Sequence, residues 1–162
     1  MTASLNARDG GNATASTSIL NTAPCVKAMV FDGATTDDPG EFDSATSGVT
    51  TLFTVTGTVR VSLVAICTTL LAGASATVEV GVTGGTATLL AQTTGTDIDT
   101  GEIWHDATPD AFVELSSVIL EKVVANGLDI IQTVATADVT SGAITYYCFW
   151  QPISPGASVI AA

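Results

Sequence analysis

The chain has 162 residues, with four Lys and Arg side chains against sixteen acids and a formal net charge of −12 at pH 7. This balance excludes binding to nucleic acid or to an anionic membrane, because both need cations that face phosphate. Hydrophobic residues are 46% of the chain and charged residues only 12%, so a disordered acidic tail is also excluded. We expect one folded domain that covers apolar surface against its own copies or a larger assembly.

The N-terminal residues 1–23 are mostly Ala, Ser, Thr, Asn and Gly. We interpret them as an extended arm, either a disordered end or a segment that lies along a neighbouring subunit. They lack the apolar run of a secretion signal, and the chain has no stretch long enough to span a bilayer, so we expect folding in a cytoplasm. Cys25 to Asp32 is the first predicted strand. An acidic loop follows, which holds Asp37, Asp38, Glu41 and Asp43.

Residues 50–71 alternate between apolar and polar side chains, the period of a β-strand, with Gly57 as a predicted bend or bulge. The apolar phase consists of Phe53, Val55, Val59, Val61, Leu63, Ala65 and Cys67. Val64 and Ile66 make the other phase apolar as well, so we expect the end of this strand to be covered on both sides. Residues 76–92 read as a β-hairpin because TGGT separates two apolar runs.

In the second half of the chain, residues 112–124 are compatible with two short strands or with one helical turn. Residues 128–135 form a predicted strand, and residues 143–153 form the most aromatic one. Tyr146, Cys148 and Trp150 lie on one side of that strand, and Tyr147 and Phe149 lie on the other. Seven to nine strands result, which predicts an all-β fold, an antiparallel β-sandwich of jelly-roll type. We expect the sandwich to span 24–155, with 156–162 as a C-terminal tail.

No catalytic constellation is evident. The chain has one histidine, His105, and no GxSxG motif, so the sequence does not favour a Ser-His-Asp triad. We expect His105 to be a surface histidine, and we expect that the protein is not an enzyme. The three cysteines lie far apart in apolar runs, without a CxxC motif or a Cys–His pair. They predict free buried thiols and no zinc site.

Calcium is the cation that the acidic loops favour. Asp97, Asp99 and Glu102 alternate oxygen ligands around Gly101, although the twelve-residue EF-hand register is absent. These three acids are the candidate ligands, but the sequence requires no cofactor.

Three segments carry a resemblance to known proteins: LFTVTGTVRVSLVAICTTLLAGASATVEVGVTG, TTGTDIDTGEIWHDATPDAFVEL and ITYYCFWQPIS. In their overall residue pattern and in their order along the chain, these segments resemble small structural proteins of tailed bacteriophages, of the head-decoration or minor-virion kind. The resemblance covers about residues 25–153 and includes no catalytic motif. It implies a β-sandwich that binds the outside of an icosahedral shell, often as a trimer. The implied partner is the major capsid protein, and the implied location is the virion after synthesis in the host cytoplasm.

The first functional hypothesis is therefore a capsid decoration protein that stabilises the shell at subunit junctions. The predicted interface residues are Leu5, Ile19 and Leu20 for docking on the capsid, Tyr147, Phe149 and Trp150 for packing between copies, and Trp104 for a loop contact. The alternative is a receptor- or carbohydrate-binding module that uses Trp104, His105 and the acidic loops as a calcium-assisted sugar site.

Overall fold

In the computed structural model, the described residues are 23–33, 39–42, 48–111 and 113–162. Strands make up 59% of them and there is no α-helix, which confirms the predicted all-β class. The strands are β1 (Cys25–Phe31), β2 (Gly48–Thr56), β3 (Val59–Ala72), β4 (Thr77–Val82), β5 (Gly85–Thr94), β6 (Glu102–Trp104), β7 (Asp110–Ala111), β8 (Lys122–Val124), β9 (Ile130–Ala135), β10 (Ser141–Pro152) and β11 (Ser158–Ala161).

Two antiparallel sheets pack face to face. The six-stranded sheet has the order β1-β10-β3-β6-β7, with β8 also paired to β3, and the five-stranded sheet has the order β11-β2-β9-β4-β5. The pairs are nested: β1 lies beside β10, β2 beside β9, β3 beside β8 and β4 beside β5. Such nesting results when one long β-hairpin folds over on itself and forms two layers. The predicted β-sandwich of jelly-roll type is therefore confirmed.

The alternating segment 50–71 forms two strands in different sheets, where the sequence predicts one strand with a bend. Gly57 lies at the corner between β2 and β3 with φ of 69°, a conformation that glycine adopts without steric cost. Because the corner preserves the alternation, the predicted apolar phase is buried on both sides of it. Phe53 and Val55 line the core from one sheet, and Val59 and Val61 line it from the other.

Buried aromatic residues connect the two sheets through polar atoms. Trp104 on β6 donates its indole N–H to Thr93 Oγ1 on β5 at 3.1 Å. Tyr146 on β10 donates its hydroxyl to Gln132 Oε1 on β9 at 2.6 Å. All four side chains are buried. Each aromatic ring fills volume in the core, and its polar atom forms a hydrogen bond with a side chain of the opposite sheet.

Strand boundaries differ from the predictions where elements are short. The described residues form eleven strands rather than seven to nine, because β6, β7 and β8 have only two or three residues each. Segment 156–162 is not the predicted tail, since it contains β11, which pairs with β2 at a sheet edge. Of the described residues 113–124, only the end forms a strand, β8, which is preceded by turns.

Several predicted features lie outside the described residues. These are nearly all of the N-terminal arm, with Leu5, Ile19 and Leu20, and most of the acidic loop, with Asp37, Asp38 and Asp43. Within the described ranges, no helix is long and apolar enough to cross a membrane.

Candidate functional site

The outer face of the six-stranded sheet carries rows of apolar side chains. One row runs across three strands, from Val26 on β1 through Tyr147 on β10 to Val64 on β3. The next row contains Ile66 on β3 beside Ile103 on β6. Antiparallel pairing places such neighbours about 5 Å apart, so the rows form one continuous surface. We call this surface the apolar face; it consists of Val26, Val64, Ile66, Ile103, Tyr147 and Phe149.

A groove of about 330 Å³ crosses the apolar face. Its lining is apolar or aromatic except for one carboxylate, and consists of Val64, Ile66, Ile103, Glu114, Ile119, Tyr147 and Phe149. The face therefore offers a surface with a single charged side chain at its groove, on a strongly acidic molecule.

Segment 113–121 borders the groove and is itself unusually apolar. Ile119 lines the groove, while Val113, Leu115 and Leu120 are 81%, 68% and 66% exposed. Contiguous exposed apolar side chains of this kind mark contact surfaces in otherwise polar exteriors.

The three described cations all have partners within the chain. Lys27 on β1 donates to the carbonyl oxygen of Ala162, and Lys122 on β8 donates to the carbonyl oxygens of Thr88 and Leu89 on β5. Both lysines thus join the two sheets, one at each open side of the sandwich. Arg60 pairs with Glu121 at 3.2 Å. These contacts agree with a chain whose cations hold the fold together.

Beside the groove, three potential metal-ligating side chains converge. His105 Nε2 lies 3.2 Å from Asp110 Oδ2 and 3.3 Å from Glu114 Oε2, and all three atoms lie within 4.8 Å of one another. The His105 side chain is only 4% exposed. We call these residues the His105 cluster. His105 follows β6, Asp110 begins β7 and Glu114 lies in the segment after β7, so the short β6–β7 pairing brings them together.

The carboxylate of Glu114 is held in its ionised form. A hydrogen bond from the Leu115 amide lowers the pKa of Glu114, and contacts with Asp110 and His105 lower it further. On the other side of the ring, His105 Nδ1 lies 3.9 Å from Asp106 Oδ2. The imidazole is thus surrounded by carboxylates on both of its nitrogens.

The predicted interface residues divide into two groups. Tyr147 and Phe149 lie on the apolar face, as the alternation of the aromatic strand predicts. Trp150 points to the opposite side and packs against the core, so it is not on that face. The prediction for Trp104 is wrong: its side chain is fully buried, because β6 pairs Trp104 with Ala65 on the inner side of β3. The ring is therefore not available for a loop contact or for stacking on a sugar.

The predicted calcium ligands do not converge. Asp97 and Asp99 are exposed, and Glu102 Oε2 accepts a hydrogen bond from the Asp99 amide at 2.8 Å. The residues that converge in the described part of the chain are instead those of the His105 cluster. His105 is not the predicted surface histidine, because its side chain is buried. One feature of the sequence could have indicated this cluster: several acidic residues lie within ten positions of the only histidine.

Comparison of the chain with protein-family models, with curated proteins and with solved structures finds no match. No family is shown for it, and its function is inferred from the apolar face and the side chains around that face.

Proposed function

We propose that this protein is a bacteriophage virion structural protein, a head decoration protein that self-associates through the apolar face and reinforces the capsid at subunit junctions. The observation that carries the proposal is the groove lined by Tyr147 and Phe149 on a molecule of net charge −12. The resemblance of three segments to head-decoration or minor-virion proteins of tailed bacteriophages supports the proposed location in a virion.

Self-association fits the distribution of charge. Two copies that each carry −12 repel one another wherever their acids approach. The only acid that lines the groove is Glu114, which lies at the border of the apolar face, so two such faces bring few charges together. At physiological salt the remaining repulsion is screened beyond about 8 Å. Burial of apolar area at about 25 cal/mol per Å² then favours association.

Stabilisation of a shell would be mechanical rather than chemical. Each copy adds a modest contact area across a seam, and a trimer with several capsid contacts gains from multivalency. An acidic exterior adds a second benefit, because it does not bind packaged nucleic acid or the anionic cell surface.

Light scattering after size-exclusion chromatography tests the self-association. We expect the wild-type chain to form an oligomer, with a trimer favoured, that strengthens when salt is raised. Tyr147→Ser and Phe149→Ser should each weaken association by about tenfold or more, the effect of removing an aromatic anchor. The matched control is Ile160→Ser, which removes an exposed apolar side chain from the other sheet (60% exposed). A monomeric wild-type chain, or equal effects of all three variants, would contradict the proposal.

Co-sedimentation tests the capsid partner. We expect the chain to sediment with shells assembled from the major capsid protein of the same genome, and to lose much of this binding when residues 2–20 are deleted. Shells that leave the wild-type chain in the supernatant would refute the decoration role. Such a result would not contradict self-association, which light scattering tests separately.

A further inference from the structure

We propose that the His105 cluster is a binding site for a divalent transition-metal ion of the zinc type. His105 Nε2, Asp110 Oδ2 and Glu114 Oε2 would be its three protein ligands. The sequence predicts no zinc site because its cysteines are isolated, whereas this site uses a histidine and two carboxylates.

The spacing of the ligand atoms fits a tetrahedral ion. Zn²⁺ binds nitrogen and oxygen at about 2.0–2.1 Å, which in a tetrahedron separates neighbouring ligand atoms by about 3.3 Å. The distances from His105 Nε2 to Asp110 Oδ2 and to Glu114 Oε2 are 3.2 Å and 3.3 Å. Two of the three ligand–ligand edges therefore already have the required length, and the third lies within 4.8 Å.

The donor set selects the type of ion. An imidazole nitrogen is a preferred ligand of zinc and other first-row transition metals, while calcium takes six to eight oxygens. Two carboxylates balance the charge of a divalent ion, and three protein ligands leave one tetrahedral position for water. In addition, one ring nitrogen has at most one proton to offer, and it faces two carboxylates. A cation at this point satisfies both of them.

A neighbouring carboxylate, that of Asp106, faces the other ring nitrogen of His105. Histidines that bind metals commonly direct their other ring nitrogen toward a carboxylate, which orients the ring and increases its basicity. Asp106 Oδ2 lies 3.9 Å from His105 Nδ1, on the side of the ring opposite the proposed ion. Burial of His105 further limits the rotations available to the ring.

The ion would fix the border of the apolar face. It would join the end of β6 to β7 and to Glu114, which lines the groove. This consequence rests on the proposed function, but the metal site itself does not. Metal binding and self-association therefore need separate experiments.

The test is isothermal titration calorimetry of Zn²⁺ into the untagged full chain after treatment with EDTA, with Ca²⁺ as the comparison ion. We expect one Zn²⁺ per chain, a higher melting temperature with Zn²⁺, and no such response to Ca²⁺. Substitution of Co²⁺ should give the visible absorption of a tetrahedral site.

Asp110→Asn and Glu114→Gln preserve side-chain shape and should each weaken zinc binding by about 10–100-fold, since each replaces an anionic carboxylate ligand with a neutral amide. Asp97→Asn and Cys25→Ser are controls that should bind as the wild-type chain does. Zinc binding that survives both ligand substitutions overturns the proposal, and so does the absence of heat with the wild-type chain. Neither result bears on light scattering, which tests the proposed function independently.

Discussion

The buried contact between Tyr146 and Gln132 makes a quantitative prediction, because it is a polar connection between the two sheets. The tyrosine hydroxyl donates to Gln132 Oε1 at 2.6 Å, and Gln132 Nε2 donates to the carbonyl oxygen of Pro39 at 3.1 Å. Tyr146→Phe keeps the ring, whose centroid lies 6.4 Å from that of Trp104, but leaves Gln132 Oε1 buried without its donor. An unsatisfied buried acceptor costs about 1–3 kcal/mol. For a chain of this size, a loss of about 2 kcal/mol lowers the melting temperature by about 4–8 °C.

Urea denaturation followed by far-UV circular dichroism measures this loss as a lower transition midpoint with an unchanged slope. The matched control is Tyr147→Phe, one residue along the same strand on the outer face, which should change the free energy of unfolding by less than about 0.5 kcal/mol. Gln132→Leu and the double variant complete a thermodynamic cycle, in which we expect a coupling energy of about 1 kcal/mol or more. A Tyr146→Phe variant as stable as the wild-type chain, or fully additive effects in the cycle, would refute the interpretation of this contact.

Two further predictions concern the pH dependence of stability and Lys122, one of the two lysines that join the sheets. Burial, with a smaller contribution from Cys25, raises the pKa of Cys148 from 9.0 to about 12. The stability associated with its protonated thiol is therefore present below pH 9.0 and is lost as pH rises toward 12, since the unfolded chain releases its proton first. At pH 10 the loss is about 1.4 kcal/mol, and Cys148→Ala should reduce the fall in unfolding free energy between pH 8 and pH 10 by about that amount. An unchanged fall in Cys148→Ala would contradict this assignment. Separately, Lys122→Met removes hydrogen bonds of 2.6 Å and 3.0 Å to the carbonyl oxygens of Thr88 and Leu89. We expect it to lower the urea midpoint by the equivalent of about 1–3 kcal/mol, with partial recovery in Lys122→Arg; a wild-type midpoint would show that this contact does not stabilise the sandwich.

The His105 cluster shows why the candidate site was not predictable. Asp110 begins β7 and Glu114 lies beyond it, five and nine residues after His105, and the three positions together match neither the period of a strand nor that of a helix. Their convergence depends on the pairing of β6 with β7, and on the pairing of β6 with the distant strand β3. In contrast, the shared face of Tyr147 and Phe149 was predictable, because every second side chain of one long strand lies on the same side.

The sequence alone determined the fold class and the faces of the long strands. Side chains in a strand point alternately to its two sides, so an apolar phase such as that of residues 53–67 identifies the core side from local pattern alone. Only the tertiary structure decided that Gly57 divides this pattern between two sheets, that residues 158–161 complete a sheet edge, and that Trp104 is buried. These outcomes depend on which distant strands become neighbours. Trp104 enters the core because Ala65, a small residue on a strand nearly forty positions earlier, lies opposite it and leaves room for the indole ring.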